Sequence, residues 1–350
     1  MWSDTSQREV LLISEDWTIS EVMDALLAAL RGDGPALGFG GITHTHVPDS
    51  CAVIVPTSGS SGTPKEVALT AAALISSARA SHQFLGATVG ERWSLLLPLS
   101  HIAGVNVLVR SLELGTTPQT IESDVEYTAI VPTQLHRALT KDATLLEHLK
   151  KCKAVLVGGA ATEPTLLEAA RSAGINVVTT YGMSEMSGGC IYNNQPIGDT
   201  EVRINSDGRV ELKGSSMAIG YLSRESFGDW FTTNDLGEMR DGKLYIAGRA
   251  DDLINSGGEK VSLSVIDDYL HETFPRLRFT SFAIPDAEWG QKLVLACDGA
   301  IDSELIKSAL REKLGAHSVP KAIFFNVDIP LISIGKPDRN QLAEKFERLI

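Results

Sequence analysis

Residues 56–67 read PTSGSSGTPKEV and follow directly on the apolar run Cys51–Val55. Gly59 and Gly62 allow a tight backbone that presents N–H groups. Thr57, Ser58, Ser60, Ser61 and Thr63 add hydroxyl donors, and Lys65 adds a cation, so the stretch has the chemistry of a phosphate cradle. Composition alone fits a flexible linker equally well. Position decides: a strand pattern runs into the stretch, an alanine-rich helical pattern follows from Leu69, and no independent core fits before residue 51. Nor is this the usual nucleotide-triphosphatase loop, in which lysine follows the second glycine at once. Here Gly62 is followed by Thr63-Pro64-Lys65, which disfavours a kinase or P-loop ATPase.

The elements that must hold this loop alternate. The apolar runs CAVIV (51–55), WSLLLPL (93–99), YTAIVP (127–132), AVLVGG (154–159) and NVVTTYG (176–182) are interleaved with helical patterns over 70–85 and 103–115. This predicts an α/β layered fold with largely buried strands. After residue 195 the texture changes to hairpins, with a Ser-Asp-Gly turn in EVRINSDGRVELKG and an Asp-Gly turn in GEMRDGKLYIAG. From Arg249 onward, two helical patterns (VSLSVIDDYLHETF, SELIKSALREKLG) and three strand patterns (FTSFAIP, KLVLACDG, KAIFFNVDIP) suffice for a small α+β domain.

Bulk properties narrow the function. At 350 residues and 43% hydrophobic, the chain is long enough for about two domains. No apolar run nears the roughly 20 residues of a membrane span, and the first residues lack a signal peptide's pattern, so a cytoplasmic protein is expected. The scattered Cys51, Cys152, Cys190 and Cys297 fit reduced thiols. A formal net charge of −13 argues against nucleic-acid or membrane-surface partners, which leaves a local site for a polyanionic small molecule.

Four further stretches follow the loop: YGMSEMSGG (181–189), TNDLG (233–237), GRADDLINSGGEKVS (248–262) and GKPDR (335–339). In this order they resemble the motifs of the adenylate-forming ligase superfamily, which includes acyl-CoA synthetases, aryl-CoA ligases, peptide-synthetase adenylation domains and luciferases. The resemblance implies a large α/β domain over residues 1–249, closed by β-hairpins, and a small mobile α+β domain over 250–350. It implies ATP, Mg²⁺ and coenzyme A as cofactor and cosubstrates. The hydroxyl loop (Thr57, Ser58, Gly59, Ser60, Ser61, Gly62, Thr63) with Lys65 would cradle the β- and γ-phosphates. Ser184 would touch the α-phosphate and Glu185 would coordinate Mg²⁺ as a hard oxygen ligand. Tyr181, with Gly182 beside it, would stack on adenine opposite the Gly158-Gly159-Ala160 turn. Asp235 would accept the ribose hydroxyls, with Arg249 in support. Lys336 matches the adenylation lysine, a charge stabiliser worth on the order of 10²- to 10³-fold in rate. Asp251 falls at the hinge. The loop after it, with Gly258 and Lys260, would meet the acceptor tunnel, where pantetheine passes close to backbone.

Within the superfamily, LPLSHIAGVNVLVRSL (97–112), IVPTQLHRAL (130–139) and TYGMSEMSGGCIY (180–192) resemble the o-succinylbenzoate-CoA ligases of menaquinone biosynthesis, in their short actinobacterial form. His101 would flank the tunnel between acyl and pantetheine sites. Arg110 interrupts an otherwise apolar helical run, and a cation there needs an anion or a route to water. The aromatic carboxylate of o-succinylbenzoate would neutralise it; a snorkelling surface arginine is the alternative. Gln134, Ser187, Gly188 and Gly189 are further candidates for the acyl pocket. Three departures stand out: 55 residues precede Pro56, fewer than the superfamily usually carries; Asn234 replaces a glycine; Ser184 replaces threonine. The reading is an AMP-forming acid-CoA ligase with small-molecule partners and homodimerisation left open. Its alternatives are a ligase for another aryl or aliphatic acid and a catalytically inert nucleotide-binding module. GFGG (38–41) lacks the third glycine and acidic partner of a dinucleotide-binding oxidoreductase.

Overall fold

Strand and helix patterns resolve into two units. The computed structural model describes residues 6–57, 65–223, 226–286, 290–331 and 337–347. One unit takes in the chain to Thr233 together with Glu238–Tyr245; the other takes in Asn234–Gly237 and the chain from Ile246 onward. The division therefore passes through the hairpin of Phe231–Arg240 and Lys243–Arg249.

In the first unit, one six-stranded sheet runs in the order Gly220–Tyr221, Lys65–Thr70, Cys51–Thr57, Ala36–Gly38, Gln7–Leu12, His46–Pro48. Thr57 faces Lys65 across the antiparallel pair, so the two described residues that flank the hydroxyl-rich stretch lie opposite each other. A second six-stranded sheet is parallel through Trp93–Ser94, Tyr127–Ile130, Ala154–Val157 and Val177–Met183. It ends in the antiparallel strands Gly188–Tyr192 and Gln195–Pro196.

Helices Pro132–Thr140, Ala143–Lys151 and Pro164–Ser172 pack Leu135, Leu149 and Ala170 with Val155, Val157 and Val177 of the second sheet, and three earlier helices complete the unit's core. Helix α1 (Ile19–Arg31) starts on a capping box in which Thr18 and Glu21 satisfy each other's backbone N–H groups, and it stops at Gly32 in the left-handed region. Helix α2 (Ala71–Leu85) is capped by the Thr70 hydroxyl. Helix α3 (Ile102–Glu113) is buried almost all round. Its Val105, Leu108 and Val109 join the core of the first sheet, while Val107 joins that of the second. A helix that is largely apolar all round has to lie inside the protein, as this one does, and it takes Asn106 and Arg110 with it.

The strand expected over 93–99 is shorter, confined to Trp93–Ser94. The segment then leaves the sheet to cross the start of α3, where a Cβ on Gly104 would lie 2.3 Å from the Pro98 carbonyl oxygen. Both expected hairpins form. Ile204 pairs with Val210 in one, and Asp241 and Gly242 take left-handed φ values in the turn between Phe231–Arg240 and Lys243–Arg249.

The second unit contains the antiparallel strands Leu253–Ser256, Glu259–Ser262, Phe279–Asp286 and Gly290–Cys297, with Ala322–Phe324 added in parallel. Helices Leu263–Thr273 and Ser303–Leu314 bury Ile266, Leu270, Ile306 and Leu310 on one side of this sheet; Leu342 and Phe346 of the last helix, Arg339–Phe346, pack with Phe282 and Val294 in a separate cluster. Among the described residues, no helix is long and apolar enough to cross a membrane.

Candidate active site

The site of the first unit is built at the ends of two strands of the second sheet. Ala154–Val157 ends in Gly158-Gly159-Ala160, and its parallel neighbour Val177–Met183 carries Tyr181 and Gly182. Side chains are excluded here by close packing. A Cβ on Gly158 would lie 2.1 Å from Thr180 Oγ1, and one on Gly182 would lie 2.0 Å from the Gly188 carbonyl oxygen. Gly159 has a φ of +82°, while Gly159 and Ala160 are exposed. The chain then tightens into a 3-10 turn, Ser184–Met186, closed by Ser187 at a φ of +52°, before the strand Gly188–Tyr192 returns. Ser184 is half-buried and Glu185 is 8% exposed.

Glu185 is fixed at both ends. Its backbone carbonyl accepts the Ala218 N–H at 2.8 Å, and its Oε1 accepts the Tyr221 hydroxyl at 2.6 Å. Tyr221 lies in the short strand that pairs with the first sheet, opposite Val67, and the Lys65 ammonium sits 4.9 Å from the centre of its ring. Two residues far apart in sequence, Lys65 and Glu185, thus meet on one tyrosine. Among the described residues there is no group of three or more His, Cys, Asp and Glu that could hold a metal by itself. A lone, oriented carboxylate suits an ion that arrives on a phosphate, because Mg²⁺ keeps most of its ligands from water and phosphate oxygens. Ser58, Gly59, Ser60, Ser61, Gly62 and Thr63 lie outside the described residues, as does Lys336; Thr57 and Lys65 bracket the loop.

A second cluster surrounds α3. Arg110 is 3% exposed, so the snorkelling alternative is corrected: the guanidinium lies inside the protein. Its Nη2 donates to the Tyr192 hydroxyl at 3.0 Å, and that hydroxyl donates to Ser81 Oγ at 3.0 Å. The guanidinium carbon lies 4.9 Å from the centre of the Trp93 ring. No carboxylate pairs with it among the described residues, and Arg110 Nε, Trp93 Nε1 and His82 Nε2 are buried without hydrogen-bond partners there. Burial, reinforced by the Arg110 charge, pushes the His82 imidazole down to about 4. His101 caps the start of α3 with no side-chain hydrogen bond, and burial lowers its pKa.

Two of the acyl-pocket candidates have their polar atoms engaged within the protein. Ser187 is fully buried; its hydroxyl donates to the Ser216 carbonyl at 2.7 Å, and its own carbonyl accepts from Ser77 Oγ and Asn106 Nδ2. Gln134 uses Oε1 to accept the Val131 N–H at 3.0 Å and Nε2 to reach the Leu96 carbonyl at 2.9 Å. Gly188 has a φ of +103°, and a Cβ there would lie 2.0 Å from Asn106 Nδ2; one on Gly189 would meet the edge of Tyr192 at 2.9 Å. These glycines make close backbone packing possible. Asn106, one helical turn before Arg110, and Tyr221 are polar contacts of these clusters that are absent from the sequence-based candidates. Asn106 is a polar break in the same apolar run as Arg110 and was visible by that signal.

In the second unit, Arg249 Nη1 donates to Asp235 Oδ1 at 3.3 Å, and Asp235 is 9% exposed. Asp251 falls in the 3-10 turn Ala250–Asp252; its side chain is outside the described set. Ser256 pairs with Glu259 around Gly257 and Gly258, whose φ values of +64° and +86° make a two-residue hairpin turn, and Gly258 and Lys260 are exposed. Arg339 joins three elements: it donates to Asp252 Oδ1 at 2.7 Å, to Asp267 Oδ2 at 2.8 Å and to the Ser281 carbonyl at 2.9 Å.

Comparison with known proteins identifies the family. A family profile described as AMP-binding enzyme matches residues 6–248. The probable 2-succinylbenzoate–CoA ligase of Mycobacterium tuberculosis is 35% identical, with 93% of this chain and 95% of the relative covered. The 2-succinylbenzoate–CoA ligase of Lactococcus lactis is 28% identical over 84% of this chain and 71% of the relative. Among solved structures, Escherichia coli MenE with a bound analogue of OSB-AMS superposes with a TM-score of 0.71 at 25% identity, covering 96% of this chain and 82% of that one. Bacillus subtilis MenE in complex with the acyl-adenylate intermediate OSB-AMP gives 0.76 at 23% identity, covering 95% and 87%, a likeness of fold.

Proposed function

The chain belongs to the AMP-binding enzyme family, and from that membership we propose that it is an AMP-forming o-succinylbenzoate–CoA ligase that uses ATP, Mg²⁺ and coenzyme A. Its carboxylate substrate attacks the α-phosphorus of ATP to give acyl-adenylate and pyrophosphate. The CoA thiol then attacks the acyl carbon, and AMP leaves with the bonding electrons of the acyl–oxygen bond. The first step places negative charge on the phosphoryl oxygens, and groups oriented in advance lower its barrier most. Ser184 and Lys65 supply donors and charge for phosphates, Glu185 holds the metal, and Tyr181 with the Gly158-Gly159-Ala160 turn accepts the adenine. Asp235 receives the ribose hydroxyls. Lys336 supplies the cation for adenylation, Asp251 acts as the hinge, and the turn with Gly258 and Lys260 serves the thiol step.

One observation carries the choice of acid: Arg110 is buried with no anion facing it among the described residues. A charge in that position calls for a negative partner. The substrate is a dicarboxylate, so one carboxylate reacts and the aromatic one remains to meet the guanidinium; a fatty acid offers nothing there. His101 lines the passage to the thiol. The four cysteines are buried free thiols, which supports a cytoplasmic location. Screening acids by AMP release tests the assignment. o-Succinylbenzoate is expected to be the best substrate, and faster turnover of benzoate or long-chain acids would make this a ligase of another acid.

A further inference from the structure

Tyr221 lies between two groups that the sequence places 120 residues apart, Lys65 and Glu185. Its backbone, ring and hydroxyl are each in use. The backbone pairs with Val67 at the edge of the first sheet. The ring packs edge-on against Phe227, with centres 5.0 Å apart at 89°, and turns toward the Lys65 ammonium 4.9 Å away. The hydroxyl donates to Glu185 Oε1 at 2.6 Å. Glu185 Oε2 has no hydrogen bond among the described residues, so one carboxylate oxygen is tied and the other is left for a ligand.

We infer that Tyr221 is a positioning residue for the metal-binding carboxylate, fixing the rotamer of Glu185 before nucleotide and metal arrive. This rests on the reading of Glu185 as the Mg²⁺ ligand. Three physical points support it. A glutamate carries three rotatable bonds, and a 3-10 turn at a strand end restrains only its backbone. A neutral donor on one oxygen orients the carboxylate without neutralising it, unlike a lysine or arginine in the same place. The cation on the ring face holds the phenol in its plane and links the carboxylate to the end of the hydroxyl loop. Partners that orient metal ligands in this way typically change metal affinity by 10- to 100-fold when removed.

The variant Tyr221→Phe keeps the ring, its packing and the lysine contact, and removes only the hydroxyl. Mn²⁺ binding, read by electron paramagnetic resonance in the presence of a non-hydrolysable ATP analogue, is expected to weaken roughly tenfold. Affinity for the analogue without metal should stay as in the wild type, while the melting temperature of the free protein should fall by only a few degrees, the cost of one hydrogen bond. The carboxylate-dependent ATP–pyrophosphate exchange rate should recover toward the wild-type value as Mg²⁺ is raised. Unchanged Mn²⁺ affinity in Tyr221→Phe overturns the inference, as does weaker binding accompanied by an equal loss of metal-free nucleotide affinity. Glu185→Gln separates the two layers. If it weakens Mn²⁺ while Tyr221→Phe does not, only the role of Tyr221 fails; if neither does, the metal assignment of Glu185 fails first.

Discussion

His82 gives the cluster around Arg110 a measurable acid sensitivity. Its ring is 8% exposed, its Nε2 has no partner among the described residues, and it lies 6.2 Å, centre to centre, from Trp93. Burial first, and the Arg110 charge second, lower its pKa from the ordinary 6.5 to about 4. Above pH 6.5 the ring is neutral both folded and unfolded, and its environment contributes in full. Between 6.5 and 4 the unfolded chain takes up a proton that the folded protein refuses, so stability falls as the pH falls; below 4 both states carry the proton and the loss is complete. At about 1.4 kcal/mol per pH unit, the interval corresponds to a loss on the order of 3 kcal/mol. His101, His148 and His271 are also lowered by burial and add to the wild-type slope, so the difference between wild type and His82→Gln isolates one residue. Urea unfolding at a series of pH values from 7 to 4.5 should show the variant losing about 2 kcal/mol less than the wild type over that fall. Parallel curves would refute the reasoning, because they would mean that His82 is protonated as easily folded as unfolded.

Three other outcomes are expected. Replacing Arg110 with leucine should raise KM for o-succinylbenzoate about 10- to 100-fold, the worth of a lost charge-assisted hydrogen bond, and leave KM for ATP nearly unchanged; steady-state kinetics in each substrate decide. Lys336→Ala should abolish adenylate formation, followed as pyrophosphate exchange, while thioester formation from supplied acyl-adenylate persists; equal loss of both half-reactions would contradict the division of labour. Gly182→Ala places a methyl group 2.0 Å from the Gly188 oxygen and 2.5 Å from the Gly189 Cα, both backbone, and should cost about 3 kcal/mol in urea unfolding. Gly189→Ala meets only the edge of Tyr192 and should cost less, so a reversed order would show that the two strands are not so closely packed.

Much of the fold was legible because it is written in local patterns. The apolar runs at 51–55, 127–130, 154–157 and 177–183 are strands, and the Asp-Gly and Ser-Asp-Gly turns are hairpins. Helix α1 carries a readable start and stop, Thr18 with Glu21 and then Gly32. The apolar pattern over 93–99 runs past the strand Trp93–Ser94 because nothing local announces that Pro98 must bend away to pass Gly104.

The sequence by itself determined the chemistry on offer: a run of hydroxyls and glycines after a strand, acidic and basic residues in a fixed order, and a cation in an apolar helix. Those signals lie in residue type and spacing, which a chain carries before it folds. Only the tertiary structure decided how each polar group is used. Gln134 and Ser187 look available in the sequence, yet their polar atoms are engaged by backbone groups of Val131, Leu96 and Ser216. Tyr221 looks like one more aromatic residue, yet strand pairing with 65–70 brings it to Glu185. Hydrogen bonds of this kind form across sheets and between distant segments, and a buried donor or acceptor takes whichever partner the fold brings within reach.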